Sequence, residues 1–138
     1  MHIGIILIGD ELLSGKRRDK HMPKLIDMLH ERGLELRWCR IVGDDPEILV
    51  ETLRDTMAGG DLVISFGGIG ATPDDRTRQA AAEAAGVPLV RHPEARDILE
   101  RKFGERAWPQ RIQMADFPEG ASIIPNRFNE VPGFSLGD

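Results

Sequence analysis

The chain alternates short, unbroken apolar runs with stretches whose apolar positions recur at helical spacing. "HIGIILI" (2–8) is a continuous β-branched run, the pattern of a strand covered on both faces. Between Lys20 and Arg32, Met22, Leu25, Ile26 and Leu29 fall at i, i+3, i+4 and i+7, which predicts a helix that Gly33 stops. "LELRWCRIV" (34–42) alternates and predicts a strand nearer a sheet edge. Asp45 and Pro46 supply an N-cap and a first helical residue for "DDPEILVETLRDTM". "DLVISF" (61–66) predicts a second fully buried strand, and "DRTRQAAAEAAG" a helix closed by Gly86, with an alanine face able to lie close to a sheet. "VPLVR" (87–91) reads as a short strand, and "HPEARDILERKFG" as a helix begun at Pro93 and closed by Gly104. Beyond it, "PQRIQMA" predicts a short helix, and "GASIIP" and "PGFSL" short strands. The order β-α-β-α-β-α-(β)-α predicts an α/β fold with a mostly parallel sheet and helices on both of its faces.

At 138 residues, 41% of them hydrophobic and 30% charged, the chain fits one globular domain, 1–138. A net charge of −5 argues against a nucleic-acid partner, although Lys16-Arg17-Arg18 forms a local basic run. No apolar run approaches the roughly 20 residues of a membrane span. The first apolar run lacks the basic flank of a signal peptide. The single cysteine, Cys39, cannot form an intrachain disulfide and reads as an inert packing residue, so a cytoplasmic location is expected. "VPGFSLGD" reads like the start of a further strand, so a C-terminal strand and loop are expected to be missing from this sequence.

In open α/β sheets, ligands bind beyond the carboxyl ends of the strands. Three polar loops leave those ends here: "GDELLSG" (9–15), "VGDDPE" (42–47) and "GGIGATPDDRT" (67–77). The third lacks the Lys-Ser/Thr of a P-loop and follows the third strand, not the first. Gly67, Gly68 and Gly70 nevertheless let backbone N–H groups approach an anion, with a helix N-terminus behind them. Asp74 and Asp75 then need an explanation. Thr72-Pro73-Asp74-Asp75 has the Thr-x-x-Asp spacing of a capping box, which accounts for one carboxylate. Alternatively, a divalent cation between carboxylates and phosphate removes a repulsion worth several kcal/mol. Phe66 continues the apolar face of Leu62 and Ile64 and is expected to pack under a helix, the one starting near Thr77, and not to cover the cleft. His2, His21, His30 and His92 lack metal-ligand spacing and read as surface or capping residues. Trp38 reads as a core or interface residue.

"GGIGATPDDRT" resembles the G-G-x-G-x-T-x-D-D-x-T signature of the MoaB/Mog molybdopterin-binding domain family, and "GDELLSG" resembles its first loop. "RIVGDDPE", "PEGASIIPN" and "VPGF" are similar to the branch containing competence/damage-inducible protein A and the N-terminal domain of FAD synthases. The resemblance implies a three-layer α/β/α fold, a homo-oligomer (dimer or trimer), and a nucleotide or pterin phosphate as ligand. It also implies Mg²⁺, with Asp44 and Asp75 as catalytic carboxylates and Asp44, Asp74 and Asp75 as metal ligands. Gly67, Gly68, Gly70 and Thr77 would bind phosphate, and Glu11 would support the site. The branch implies hydrolysis of a pyrophosphate bond in an ADP-ribose-like substrate. The alternatives are molybdopterin binding or adenylyl transfer in molybdenum cofactor biosynthesis, or a ligand-binding module without turnover. Phe66 stands where the family usually carries Thr, and Ala71 where it usually carries Pro.

Overall fold

The computed structural model describes residues 1–137. They form two compact units, Met1–Gly68 and Ile69 onward.

The first unit contains β1 (Ile3–Ile8), α1 (Asp10–Leu13), α2 (His21–Glu31), β2 (Trp38–Val42), α3 (Pro46–Ala58) and β3 (Leu62–Phe66). The strands form one parallel sheet in the order β2-β1-β3, with Gly4 opposite Trp38 and Ile3 opposite Leu62. Every residue of β1 is buried, as its unbroken apolar run predicts. Ile3, Ile5 and Leu7 pack with Leu25 and Leu29 of α2. Ile6 and Ile8, pointing to the opposite face, are also buried, and α3 buries Leu49, Val50 and Leu53. The chain leaves β1 toward β2 and returns past β1 to β3. Right-handed crossovers then put α2 and α3 on opposite faces, with the reversal between β1 and β3. β3 corrects one expectation: it is an edge strand of this sheet, with Leu62 and Ser65 exposed. A continuous apolar run does not distinguish a central strand from an edge.

The predicted caps hold where the side-chain chemistry is local. Asp45 accepts hydrogen bonds from the amides of Glu47 and Ile48, with Pro46 opening α3. Trp38 lies over Gly4, where a Cβ would overlap its ring, and its indole N–H donates to Asp61 at 2.9 Å. Cys39 is exposed on edge strand β2, so it is not the packing residue expected. Partial burial of the sulfur and the charge of Asp19 push its thiol pKa up, which disfavours the reactive thiolate.

The second unit contains α4 (Thr77–Ala85), β4 (Leu89–Arg91), α5 (Pro93–Phe103), β5 (Asp116–Pro118), β6 (Ser122–Ile124) and β7 (Gly133–Ser135). Gly86 closes α4 in the left-handed conformation, and His92 caps α5 by accepting from the Ala95 amide. The segment expected as a short helix is a 3-10 turn, Arg111–Ala115, running into β5. β4 pairs with β5 antiparallel, as β6 does with β7. The parallel order inferred for the first three strands therefore does not extend through these pairs. Three-residue strands carry too little periodicity to reveal their partners. The core of this unit joins Ala95, Leu99, Ile112, Ala115 and Phe117.

Asp19 is a cap that the periodicity did not reveal. Its carboxylate accepts from the amides of Met22 (2.8 Å) and His21 (3.0 Å) and meets the His21 ring at 3.1 Å. Burial presses its pKa upward, but these hydrogen bonds outweigh burial and hold it below the usual value. A depressed carboxylate stabilises the fold above its unfolded pKa, and that contribution disappears as pH falls through the lower folded value. Asp19→Ala is expected to cost about 1 kcal/mol near neutral pH. The difference from the parent should shrink as urea melts are taken from about pH 5 toward about pH 2. A constant difference across that range would contradict the assignment.

Candidate functional site

Gly67 carries the tightest backbone approach at the reversal point. Its φ is +106°, and a Cβ on it would overlap the carbonyl oxygen of Ile8, the last residue of β1. Gly68 follows at φ +70°. Two successive residues in conformations that favour glycine make the sharp exit from β3.

The loops after β1 and β2 are joined by reciprocal hydrogen bonds. The Asp44 amide donates to Asp10 Oδ1 at 2.9 Å, and the Asp10 amide donates to Asp44 Oδ2 at 3.2 Å. The Gly9 amide adds a bond to the Val42 carbonyl at 2.9 Å. Glu11 folds back over Gly9, where a Cβ would meet its carboxylate at 2.5 Å. Convergence of these strand-end loops is therefore borne out within the first unit. Asp10 is the residue the sequence reading missed. Its signal was present: it is the acidic neighbour of Gly9 in the same motif as Glu11.

In the second unit, Asp75 Oδ2 accepts from the amide and hydroxyl of Thr72 at 2.9 and 2.8 Å. The Asp75 amide donates to the Thr72 carbonyl at 3.0 Å. The Thr-x-x-Asp pair thus closes a turn around Pro73 and Asp74. It does not cap the helix, which begins only at Thr77. Gly70 is needed on this side of the loop because a Cβ there would come within 2.5 Å of Asp75 Oδ2. Asp74 is exposed, whereas Thr77 is 1% exposed and belongs to the core. A phosphate could reach only a fraction of Thr77.

Arg78 was missed as well, and it is 2% exposed. Its guanidinium donates to the carbonyls of Ile69 (2.5 Å) and Gly70 (2.7 Å). Burial lowers its pKa, against the attraction of Asp75 and Asp116. It fastens the glycine loop by its carbonyls. The clue in the sequence was a charge at i relative to Ala81 and Ala82 on the alanine face. Phe66 packs with the α2 face, and its ring stacks on His21 at 4.4 Å and 19°. The helix over it in its own unit is α2, where the expectation named the helix near Thr77.

The carboxylates are hard oxygen donors suited to Mg²⁺. Among the described residues, however, no group of three or more His, Cys, Asp or Glu forms a preformed metal cage. A cation that arrives with phosphate oxygens needs only one or two carboxylates from a protein. Among the described residues, no helix is long and apolar enough to cross a membrane.

Gly67→Ala should destabilise the protein by roughly 3 kcal/mol or leave it unfolded, because the overlap is with backbone and φ is unfavourable. Urea unfolding checks this. A loss below about 0.5 kcal/mol, the scale of an ordinary surface change, would contradict the close approach.

A family profile described as "Probable molybdopterin binding domain" matches residues 4–134. A CinA-like protein of Anaeromyxobacter sp. (strain K) is 41% identical over 99% of the chain and 34% of its own length. A CinA-like protein of Syntrophotalea carbinolica is 37% identical, again over 34% of its length. The chain thus spans about a third of these curated relatives. Among solved structures, CinA of unknown function from Thermoplasma acidophilum superposes with a TM-score of 0.87 at 29% identity. That match covers 97% of this chain and 80% of the other. The tungsten cofactor synthesizing protein MoaB from Pyrococcus furiosus gives a TM-score of 0.52 at 26% identity, covering 98% and 80%. The chain has the α/β fold of these proteins and belongs to the molybdopterin-binding domain family, with CinA-like proteins among its relatives.

Proposed function

We propose that this chain binds a nucleotide pyrophosphate or a phosphorylated pterin with help from Mg²⁺ and hydrolyses a pyrophosphate bond, as in ADP-ribose. The observation that carries the reading is the glycine turn at the reversal point, pressed against the end of β1 with Gly67 and Gly68 both at positive φ. Backbone amides of Gly67, Gly68 and Gly70 would hold phosphate oxygens and offset the charge that develops there. Asp44, Asp74 and Asp75 are the carboxylates proposed to hold the cation, with Glu11 in support. Bound Mg²⁺ would neutralise phosphate charge and polarise a bridging oxygen. Arg78 keeps the loop carbonyls turned to the protein interior. Attack of water on phosphorus breaks the bridging P–O bond and converts ADP-ribose into AMP and ribose 5-phosphate. We further propose a homo-oligomer and a cytoplasmic setting.

One observation favours a second reading, a ligand-binding module without turnover, of which molybdopterin is the family's namesake ligand. Asp44 and Asp75 already accept backbone amides, and Phe66 supplies no hydroxyl beside the glycines.

Asp75→Asn separates the structural and chemical roles of this carboxylate. Asn keeps an acceptor for the Thr72 turn but loses the charge that a cation needs. With Mg²⁺ and ADP-ribose, the parent chain should release AMP and ribose 5-phosphate in equal amounts. Asp75→Asn should lower that rate by about 100-fold or more while keeping the melting temperature, in line with loss of a main charge-stabilising group. Tight binding of ADP-ribose without product, checked by chromatography and thermal shift, would favour the module. A ligand at 100 times its Kd adds about 2.7 kcal/mol. Neither binding nor product would overturn the nucleotide reading.

A further inference from the structure

Phe66 ends β3 directly before the glycine turn, and His21 opens α2. Both stand in the first unit at the carboxyl end of the sheet, since α2 sets out after the loop that leaves β1. Their rings are nearly parallel, with centroids 4.4 Å apart and planes inclined by 19°. Asp19 fixes the His21 ring in its plane through Nδ1 at 3.1 Å, and the same Oδ1 accepts the His21 amide at 3.0 Å. The His21 side chain is nevertheless 59% exposed. One ring face is covered by Phe66, so the exposure lies on the other face and the outer edge. A surface histidine ordinarily samples several rotamers. This one is held flat from beneath and from the side while presenting an open aromatic face.

The loop leading into it is cationic. Lys16, Arg17, Arg18 and Lys20 are exposed, and among the described residues none of them forms an ion pair. A fixed planar ring, four exposed cations and the glycine turn after Phe66 suit a ligand that is both planar and anionic. The pairing also accounts for Phe66. A Thr there would offer a hydroxyl, whereas Phe offers a ring against which His21 can be pressed.

We propose that the outward face of His21, backed by Phe66 and turned by Asp19, is a stacking surface for the planar heterocycle of the phosphorylated ligand, with the 16–20 loop attracting its phosphates. The proposal rests on the nucleotide or pterin-phosphate reading and adds the element that recognises the ring. His21 is then a specificity-determining residue.

The test uses the full chain with Mg²⁺, ADP-ribose, and ribose 5-phosphate as a ring-free control. His21→Ala should weaken ADP-ribose by at least about fivefold, the low end of a lost base–aromatic stack, and leave ribose 5-phosphate within about twofold. His21→Phe should keep ADP-ribose within about threefold of the parent, because it restores a stacking face. Thermal melts check that both variants remain folded. In proton spectra, ADP-ribose should move the His21 ring signals upfield and ribose 5-phosphate should not. 6-Hydroxymethylpterin phosphate forms a second arm. A loss confined to that ligand would support the surface and identify a pterin as its occupant. Equal weakening of ring-bearing and ring-free ligands, or unchanged affinity of His21→Ala for both ADP-ribose and the pterin phosphate, would overturn this inference alone. A parent chain that binds neither ADP-ribose nor the pterin phosphate would overturn the underlying reading and this inference with it.

Discussion

The contact between Gly67 and the carbonyl of Ile8 is the constraint on which the site depends. β1 and β3 are neighbours because the chain passes to β2 and back, and their pairing runs in register to Leu7 and Phe66. Directly beyond that register the exit from β3 must turn without a side chain. A Cβ there would push the two strand ends apart. Glycine at this position is thus required by the sheet. The same economy holds at Gly70, which leaves room for Asp75.

The carboxylates follow a similar logic. Asp10 and Asp44 each accept the other's backbone amide on a carboxylate oxygen, and Asp75 closes the Thr72 turn. Each therefore has a structural role that keeps it ordered without a ligand. This bears on the two functional readings. Carboxylates ordered in advance lose less entropy when a cation and phosphate arrive. The same bonds would also keep them in place in a domain that only binds.

Much of the fold was legible because it is written in local patterns. The unbroken run 3–8 gave the buried central strand, the i, i+3, i+4 spacing gave α2, and Asp45-Pro46 and Gly86 marked helix ends. What was not legible depends on partners distant in sequence. The same apolar character that fills β1 also fills edge strand β3, and Leu89–Arg91 gives no sign that it pairs antiparallel with Asp116–Pro118. At the site, the motif pointed to Gly67, Gly70, Asp44 and Asp75. It could not separate a helix cap from a turn at Thr72, because both use the same four-residue spacing. Arg78 looked like a solvated helix residue until its guanidinium was found on the loop carbonyls. Phe66 was assigned correctly to a packed face, but its His21 partner lies 45 residues away in the chain.

The central claim is that the backbone amides of the glycine turn hold the phosphate. Amide nitrogen–proton correlation spectra recorded while ADP-ribose is added, with and without Mg²⁺, test it most directly. The account predicts saturable downfield shifts at Gly67, Gly68 and Gly70, stronger with Mg²⁺, as expected for amides donating to an anion. Saturable binding that leaves these three amides unmoved while shifting residues elsewhere would contradict it.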